Sequence, residues 1–249
     1  MELPKPVITE EVFIPNPDRD LAIKVQSGSR VLSPKCYDAT LQKILSTKPL
    51  HMKIDYFQRP FAWGKLQCRR LIDDLLHYKS EESSPFLGNI TLATRKGIEG
   101  EKSVLDGQQR LTTFTLILAI LRERFYRFSK TSAKLKEYGE DLSRECSQLL
   151  YEKIRIEVSD NYENRLVPKL EVSSSVKDLF VSFIQCEDPD AINEIKNYPC
   201  KNNFQKCICD AIMVLRTNLE ERLADEFEAW KSFFSFIQNK PIFIVYEVE

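Results

Sequence analysis

Two short stretches of this chain carry the residue types that handle phosphate. The first is Val104-Leu105-Asp106-Gly107-Gln108-Gln109-Arg110-Leu111-Thr112-Thr113. It sets a carboxylate, two amides and a guanidinium where a strand pattern gives way to a helix pattern. Gly107 lets the chain turn tightly and lets a ligand approach the backbone. The N–H groups that follow, from Gln108 on, have no intrahelical partner and point out of the helix start. A buried helix start beside an arginine is an anion site. The helix end contributes about 0.3–1 kcal/mol, whereas each charge-assisted bond from arginine adds about 1.5–3 kcal/mol. The arginines therefore decide whether a triphosphate binds. Asp106 can hold Mg²⁺ or orient an attacking water, the two tasks of phosphoryl transfer. The plainer alternative is that Asp106 caps the helix while Gln108 and Arg110 are solvated.

The second stretch is Asp55-Tyr56-Phe57-Gln58-Arg59-Pro60-Phe61-Ala62-Trp63. Aromatic residues surround a single Gln-Arg pair, and Pro60 stiffens the turn. Arg59 can reach a phosphate, with Phe57, Phe61 or Trp63 packing on a base. Alternatively the aromatics are core and Arg59 pairs with Asp73 or Asp74. If both stretches serve one ligand, Arg59 and Arg110 must converge on it.

The elements that would position these residues follow from periodicity. Tyr37, Leu41, Ile44 and Leu45 recur at helical spacing, so a helix is expected over 37–45. A strand is expected near 52–57. Cys68, Leu71, Ile72, Leu75 and Leu76 predict an amphipathic helix. Residues 89–94 and 103–105 read as strands joined by a turn over 95–101 that holds Gly97 and Gly100. Leu111–Leu121 is apolar on nearly every side, as a helix at the centre of a domain is. Ile154, Ile156 and Val158 alternate as a strand. From Ile208 to Ile237 apolar residues repeat by threes and fours, giving one long helix or a kinked pair. Ser173-Ser174-Ser175 reads as a helix cap, and residues 242–248 as a closing strand.

Composition sets outer bounds. The 249 residues carry a net charge of −1, with 43% hydrophobic and 29% charged residues, an ordinary globular balance without a global field that attracts nucleic acid. A local basic stretch, Arg122, Arg124, Arg127, Lys130, Lys134 and Lys136, reads as a solvated helix face, with DNA phosphate the alternative partner. The seven cysteines are scattered, odd in number and form no C-x-x-C, which suits reduced thiols in a cytoplasmic protein rather than a zinc site. Residues 1–17, with four prolines and no apolar run, do not read as a signal peptide, and no stretch of this sequence reads as a membrane span. A P-loop is absent as well.

Taken in order, Y-F-Q-R-P-F-A-W, L-I-D-D-L-L, F-L-G-N-I-T-L and V-L-D-G-Q-Q-R-L-T-T-F-T-L-I-L-A-I-L closely resemble the N-terminal domain of GmrSD-type modification-dependent restriction enzymes. The likeness is strong over residues 52–121 and weak afterwards. It implies an α+β, ParB/sulfiredoxin-like core: a small mixed sheet with a central buried helix, followed by a mainly helical segment. It also implies a nucleoside triphosphatase, Mg²⁺-dependent and of unknown base preference, that senses modified or phage DNA and licenses an HNH-type nuclease domain or subunit. By motif position, Gln58, Arg59, Gly107, Arg110 and Thr112 would bind nucleotide. Asp106, Gln108, Gln109 and Arg110 would do the chemistry, Asp106 holding the metal.

Residues 1–30 are read as an extended arm, 31–130 as the nucleotide-binding core and 131–249 as the helical segment closing with a strand. The chain stops directly after that strand and is expected to be the front part of a longer polypeptide. With two histidines and no H-N-H arrangement, it should not cut DNA alone. A homo-oligomer is left open. The rivals are a non-hydrolysing nucleotide- or DNA-sensing switch and a DNA-binding regulator with the same core.

Overall fold

The computed structural model describes residues 34–46, 51–95, 100–158 and 161–248. The expected arm over 1–30 and most of the turn over 95–101 lie outside them. Among the described residues the fold is mixed α+β, with one six-stranded sheet and a separate two-stranded hairpin.

The sheet comprises β1 (Lys35–Thr40), β2 (His51–Lys53), β3 (Phe86–Thr94), β4 (Glu101–Asp106), β7 (Leu170–Glu171) and β8 (Ile242–Val248). Its spatial order is β1-β8-β3-β4-β2-β7. The last strand therefore lies inside the sheet, antiparallel to β1 and parallel to β3. The hairpin joins β5 (Tyr151–Val158) to β6 (Asn161–Pro168).

Helix α3 (Gln108–Thr131) is the spine. Every residue from Leu111 to Phe125 is buried, because a helix apolar on all sides must be covered on all sides. Phe114 meets Phe243 of β8 edge-on at 5.8 Å between ring centres. On its other sides α3 meets α4 (Ala133–Leu150) and the pair α6 (Asn203–Leu223) and α7 (Phe227–Asn239). Phe125 packs on Phe227 and Phe234 of α7. The expected long C-terminal helix is thus the kinked pair, broken at Ala224, whose φ is +49°.

Two expectations fail for identifiable reasons. Residues 37–45 are not one helix. They form β1 and then the short helix α1 (Leu41–Ser46). Tyr37, Leu41 and Leu45 fit a helix locally, but β1 is fixed by pairing with β8 some 200 residues away, and tertiary pairing overrides spacing. The strand at 52–57 shortens to β2.

The basic stretch divides: Arg127 and Lys130 of α3 and Lys134 and Lys136 of α4 are exposed, as a solvated face requires, whereas Arg122 and Arg124 are buried. Arg122 is fully buried and donates to Cys186 O at 2.6 Å and Asp188 O at 3.3 Å. Arg124 donates to Asp225 at 2.5 Å and lies between the rings of Phe128 and Trp230, 4.9 Å from each. Desolvation would make these cations costly without such partners.

α3 and α4 touch backbone to backbone at Gly139. A Cβ there would stand 2.6 Å from Phe125 O and 2.7 Å from Ser129 N. Gly139→Ala should therefore destabilise the chain by about 1–3 kcal/mol, although alanine is the better helix former. A urea titration that finds it equal to or above wild type would refute the close crossing.

The sheet also holds a titrating tie. Glu247 on β8 accepts from Tyr37 at 2.7 Å and pairs with Lys102 at 2.5 Å. Burial alone would raise its carboxyl, but the bonds from Lys102 and Tyr37 outweigh burial and hold it below the usual range. A depressed carboxylate adds stability that is present above its unfolded value and lost as pH falls through its folded one. Melting temperature should fall between about pH 5 and pH 3, and less steeply in Glu247→Gln. Parallel curves for the two proteins would contradict the assignment.

Candidate functional site

The site forms where β4 ends and α3 begins. Gly107 stands between them at φ +85° and serves as the N-cap residue, with no side-chain cap. Its backbone presses on β3, so that a Cβ would lie 2.9 Å from Ile90 Cγ1 and 3.0 Å from Asn89 O. Only glycine meets both demands. Asp106 is therefore not the helix cap. It is exposed at the end of β4, and no hydrogen bond or ion pair holds its carboxylate among the described residues.

Gln109, the second residue of α3, is buried and committed to the loop over 54–64. Its Nε2 donates to Pro60 O at 3.1 Å, and its Oε1 accepts from Ala62 N at 2.8 Å. Gln58 pins the other end of that loop. Its Nε2 donates to Val104 O of β4, and its Oε1 accepts from Asp55 N at 3.2 Å. Asp55 is in turn paired with Arg95 at 3.3 Å, and Arg95 with Glu101 at 2.7 Å. These amides hold the two motifs against each other, a role that the sequence pattern alone did not reveal.

Between the motifs lies a small cavity of about 10 Å³. Arg59, Pro60 and Phe61 line one side, Gln108, Gln109 and Thr112 another, and Val172, Ser173 and Val176 the third. The last three come from the start of α5 (Ser174–Leu179), where Ser173 is the N-cap residue expected from the serine run. No motif marked this wall as part of the site. Gln108 Oε1 is enclosed there without a hydrogen-bond partner among the described residues. Such a space holds about one water molecule.

Arg59 thus lines the same cavity as Gln108, Gln109 and Thr112, and it is exposed on its outer side. It does not pair with Asp73, which binds Arg222 of α6 at 2.7 Å. The structure does not bring Arg110 to this cavity. Its guanidinium lies on Gly88, where a Cβ would stand 2.9 Å from Cζ, and it donates to Asn89 O at 3.0 Å. Gly88 and Asn89 belong to the F-L-G-N motif, so that motif serves as the seat of Arg110.

Phe61 is buried in the core, whereas Tyr56 and Phe57 are 85% and 68% exposed and meet edge to face at 5.5 Å. No group of three or more His, Cys, Asp or Glu gathers as a metal site among the described residues. A magnesium ion held by Asp106 would need phosphate oxygens for its other positions, which is its usual habit. A wide trough of about 1140 Å³ runs along α4, lined by Tyr126, Gln148, Tyr151, Lys169 and Gln238 among others, and it includes none of the motif residues.

The sequence model of one family, described as the GmrSD restriction endonuclease N-terminal domain, matches residues 40–249. No curated protein matches the chain. No described helix is long and apolar enough to cross a membrane.

The two glutamines of the motif should behave differently when changed. Gln109→Ala leaves Ala62 N and Pro60 O unpaired in a buried place, at about 1–3 kcal/mol. Gln108→Ala removes an amide whose oxygen already lacks a partner and should cost much less. Equal losses in thermal unfolding would show that the loop is not fastened by Gln109.

Proposed function

The chain belongs to the GmrSD restriction endonuclease N-terminal domain family, and from that premise we propose that it binds and hydrolyses a nucleoside triphosphate in a modification-dependent restriction system. The observation that carries this reading is the cavity at the start of α3 that Arg59, Gln108 and Thr112 line together. The cavity itself is too small for phosphates, so it is the floor of the site. The triphosphate lies on its outer side, where Arg59 and Asp106 are exposed. Arg59 binds phosphate, the N–H groups at the helix start add to it, and Asp106 holds Mg²⁺ or the attacking water. Gln108, whose amide oxygen is buried, lines the floor beneath the phosphates and positions the helix start.

Gln58, Gln109 and Arg110 act as positioning residues in this scheme. Gly107 lets β4 turn into α3 against β3, which sets the helix start in place. The nucleotide then signals to an HNH-type nuclease domain or subunit. One observation favours the rival switch without hydrolysis: both Gln58 and Gln109 spend their amides on the loop, leaving few groups for chemistry.

For DNA, residues 56–72 contain Arg59, Lys65, Arg69 and Arg70 and no acidic residue. All four cations are exposed on the loop and on α2 (Lys65–Ser80), beside the exposed rings of Tyr56 and Phe57. Cations track phosphates and rings stack on unpaired bases. This face gathers four exposed cations, whereas α3 exposes only Arg127 and Lys130 and buries Arg122 and Arg124.

Asp106→Ala should abolish phosphate release while leaving the melting temperature unchanged, and Arg59→Ala should weaken nucleotide binding about ten- to hundredfold. Arg59→Lys should recover only part of that loss, since lysine lacks the forked donor. Arg110→Ala should cost less affinity than Arg59→Ala. Calorimetric titration and a phosphate-release assay over four triphosphates, with and without modified DNA, check these outcomes. Nucleotide bound without phosphate release would select the switch, and wild-type turnover in Asp106→Ala would remove Asp106 from the chemistry.

A further inference from the structure

Seven cysteines are free, and two of them meet. Cys200 lies in the connector before α6, and Cys209 in that helix's second turn. Their sulfurs are 3.5 Å apart. Cys200 is exposed and Cys209 is buried. From this geometry we propose that Cys200 and Cys209 are a thiol-oxidation site that closes to a reversible disulfide when a hydroperoxide reaches Cys200, shifting the wall of the candidate site.

The chemistry balances without a metal or cofactor. The Cys200 sulfur attacks the terminal oxygen of the hydroperoxide, the O–O bond breaks, and water or an alcohol leaves. The sulfenic acid so formed on Cys200 is attacked by the Cys209 sulfur. The S–S bond forms, the S–O bond breaks, and the departing hydroxide takes the Cys209 proton as water. Two thiols are oxidised and one peroxide is reduced. Burial, with the Cys200 contact adding to it, pushes the Cys209 thiol up to about 12. The buried sulfur is therefore the resolving partner, and the exposed one meets the oxidant.

The structural consequence follows from what lies between the two cysteines. A disulfide needs sulfurs about 2.05 Å apart, so the two sulfurs must close by more than 1 Å, which draws on the connector as well as on the side chains. Asn202 sits in that connector. Its side chain caps α6 by accepting from Gln205 N at 2.9 Å, and it donates to Ser175 O of α5 at 3.1 Å. Lys201 N is held by Gln205 Oε1 at 2.7 Å. Ser173 and Val176, on either side of Ser175, line the cavity with Gln108 and Arg59. Drawing Cys200 inward thus pulls on the side chain that clamps this wall. The proposal stands whether or not the site binds nucleotide.

The test uses the full chain treated with hydrogen peroxide. Intact mass should fall by about 2 Da, the two thiol hydrogens, and dithiothreitol should restore it. Trypsin, cutting at Lys201 and Lys206, should leave a peptide ending in Cys200–Lys201 joined to one beginning at Cys207. Cys209→Ser should abolish the link, while Cys207→Ser and Cys36→Ser should keep it. Oxidation should also change amide exchange at 172–179 by about twofold or more, an effect that Cys209→Ser removes. A link through Cys207, or oxygen addition at Cys200 without a link, would overturn the site. A Cys200–Cys209 disulfide with unchanged exchange at 172–179 would overturn the coupling to the wall.

Discussion

Two hydrogen bonds from the buried Gln109 amide fasten the loop over 54–64 to the start of α3, and the candidate site exists because of them. The loop has no regular structure of its own, and its backbone groups at Pro60 and Ala62 would be left unpaired if it lifted away. The amide supplies both a donor and an acceptor, so it satisfies one group of each kind at a single point. Gln58 makes the matching tie to β4 two residues before Asp106. Arg59 is thereby held between two fixed points, over a helix start that cannot move because α3 is buried along its first half.

That rigidity has a cost in freedom. The start of α3 needs Gly107 to press against β3 and Gly88 to seat Arg110, and its later turns need Gly139 to admit α4. Three glycines are thus fixed by close approach rather than by loop flexibility. The charges inside the fold follow the same logic. Arg122 and Arg124 lie deep in the chain, yet each finds carbonyls, a carboxylate or ring faces. Net attraction for DNA therefore cannot be read from the number of cations on α3. It depends on which of them reach solvent: Arg127 and Lys130 of α3 do, and so do the four cations of the loop and α2.

Much of this was legible in the sequence, and the exceptions have a common cause. The buried spine, the strands β3 and β4, the apolar repeat of the C-terminal helices (left open between one helix and a kinked pair) and the closing strand follow from local periodicity. The position of Asp106 at a strand end and of Gly107 at the turn follows from the D-G step. What failed needed distant partners. β1 is a strand because β8 lies beside it, and Arg110 faces away from the cavity because Asn89 O offers it a bond. Val172, Ser173 and Val176 become a wall of the site only when the chain folds back. The sequence showed Gln109 as one of two adjacent amides, but not that its neighbour Gln108 would stay unpartnered while it was spent on the loop.

Amide hydrogen exchange with and without a magnesium–nucleoside triphosphate tests the central claim most directly, because it reports where a ligand acts without relying on turnover. Nucleotide should slow exchange over 55–62 and 106–112, with a smaller effect at 172–176, and leave the trough along α4 unchanged. Protection confined to the trough residues, or none over 55–62 and 106–112 at saturating nucleotide, would contradict the account.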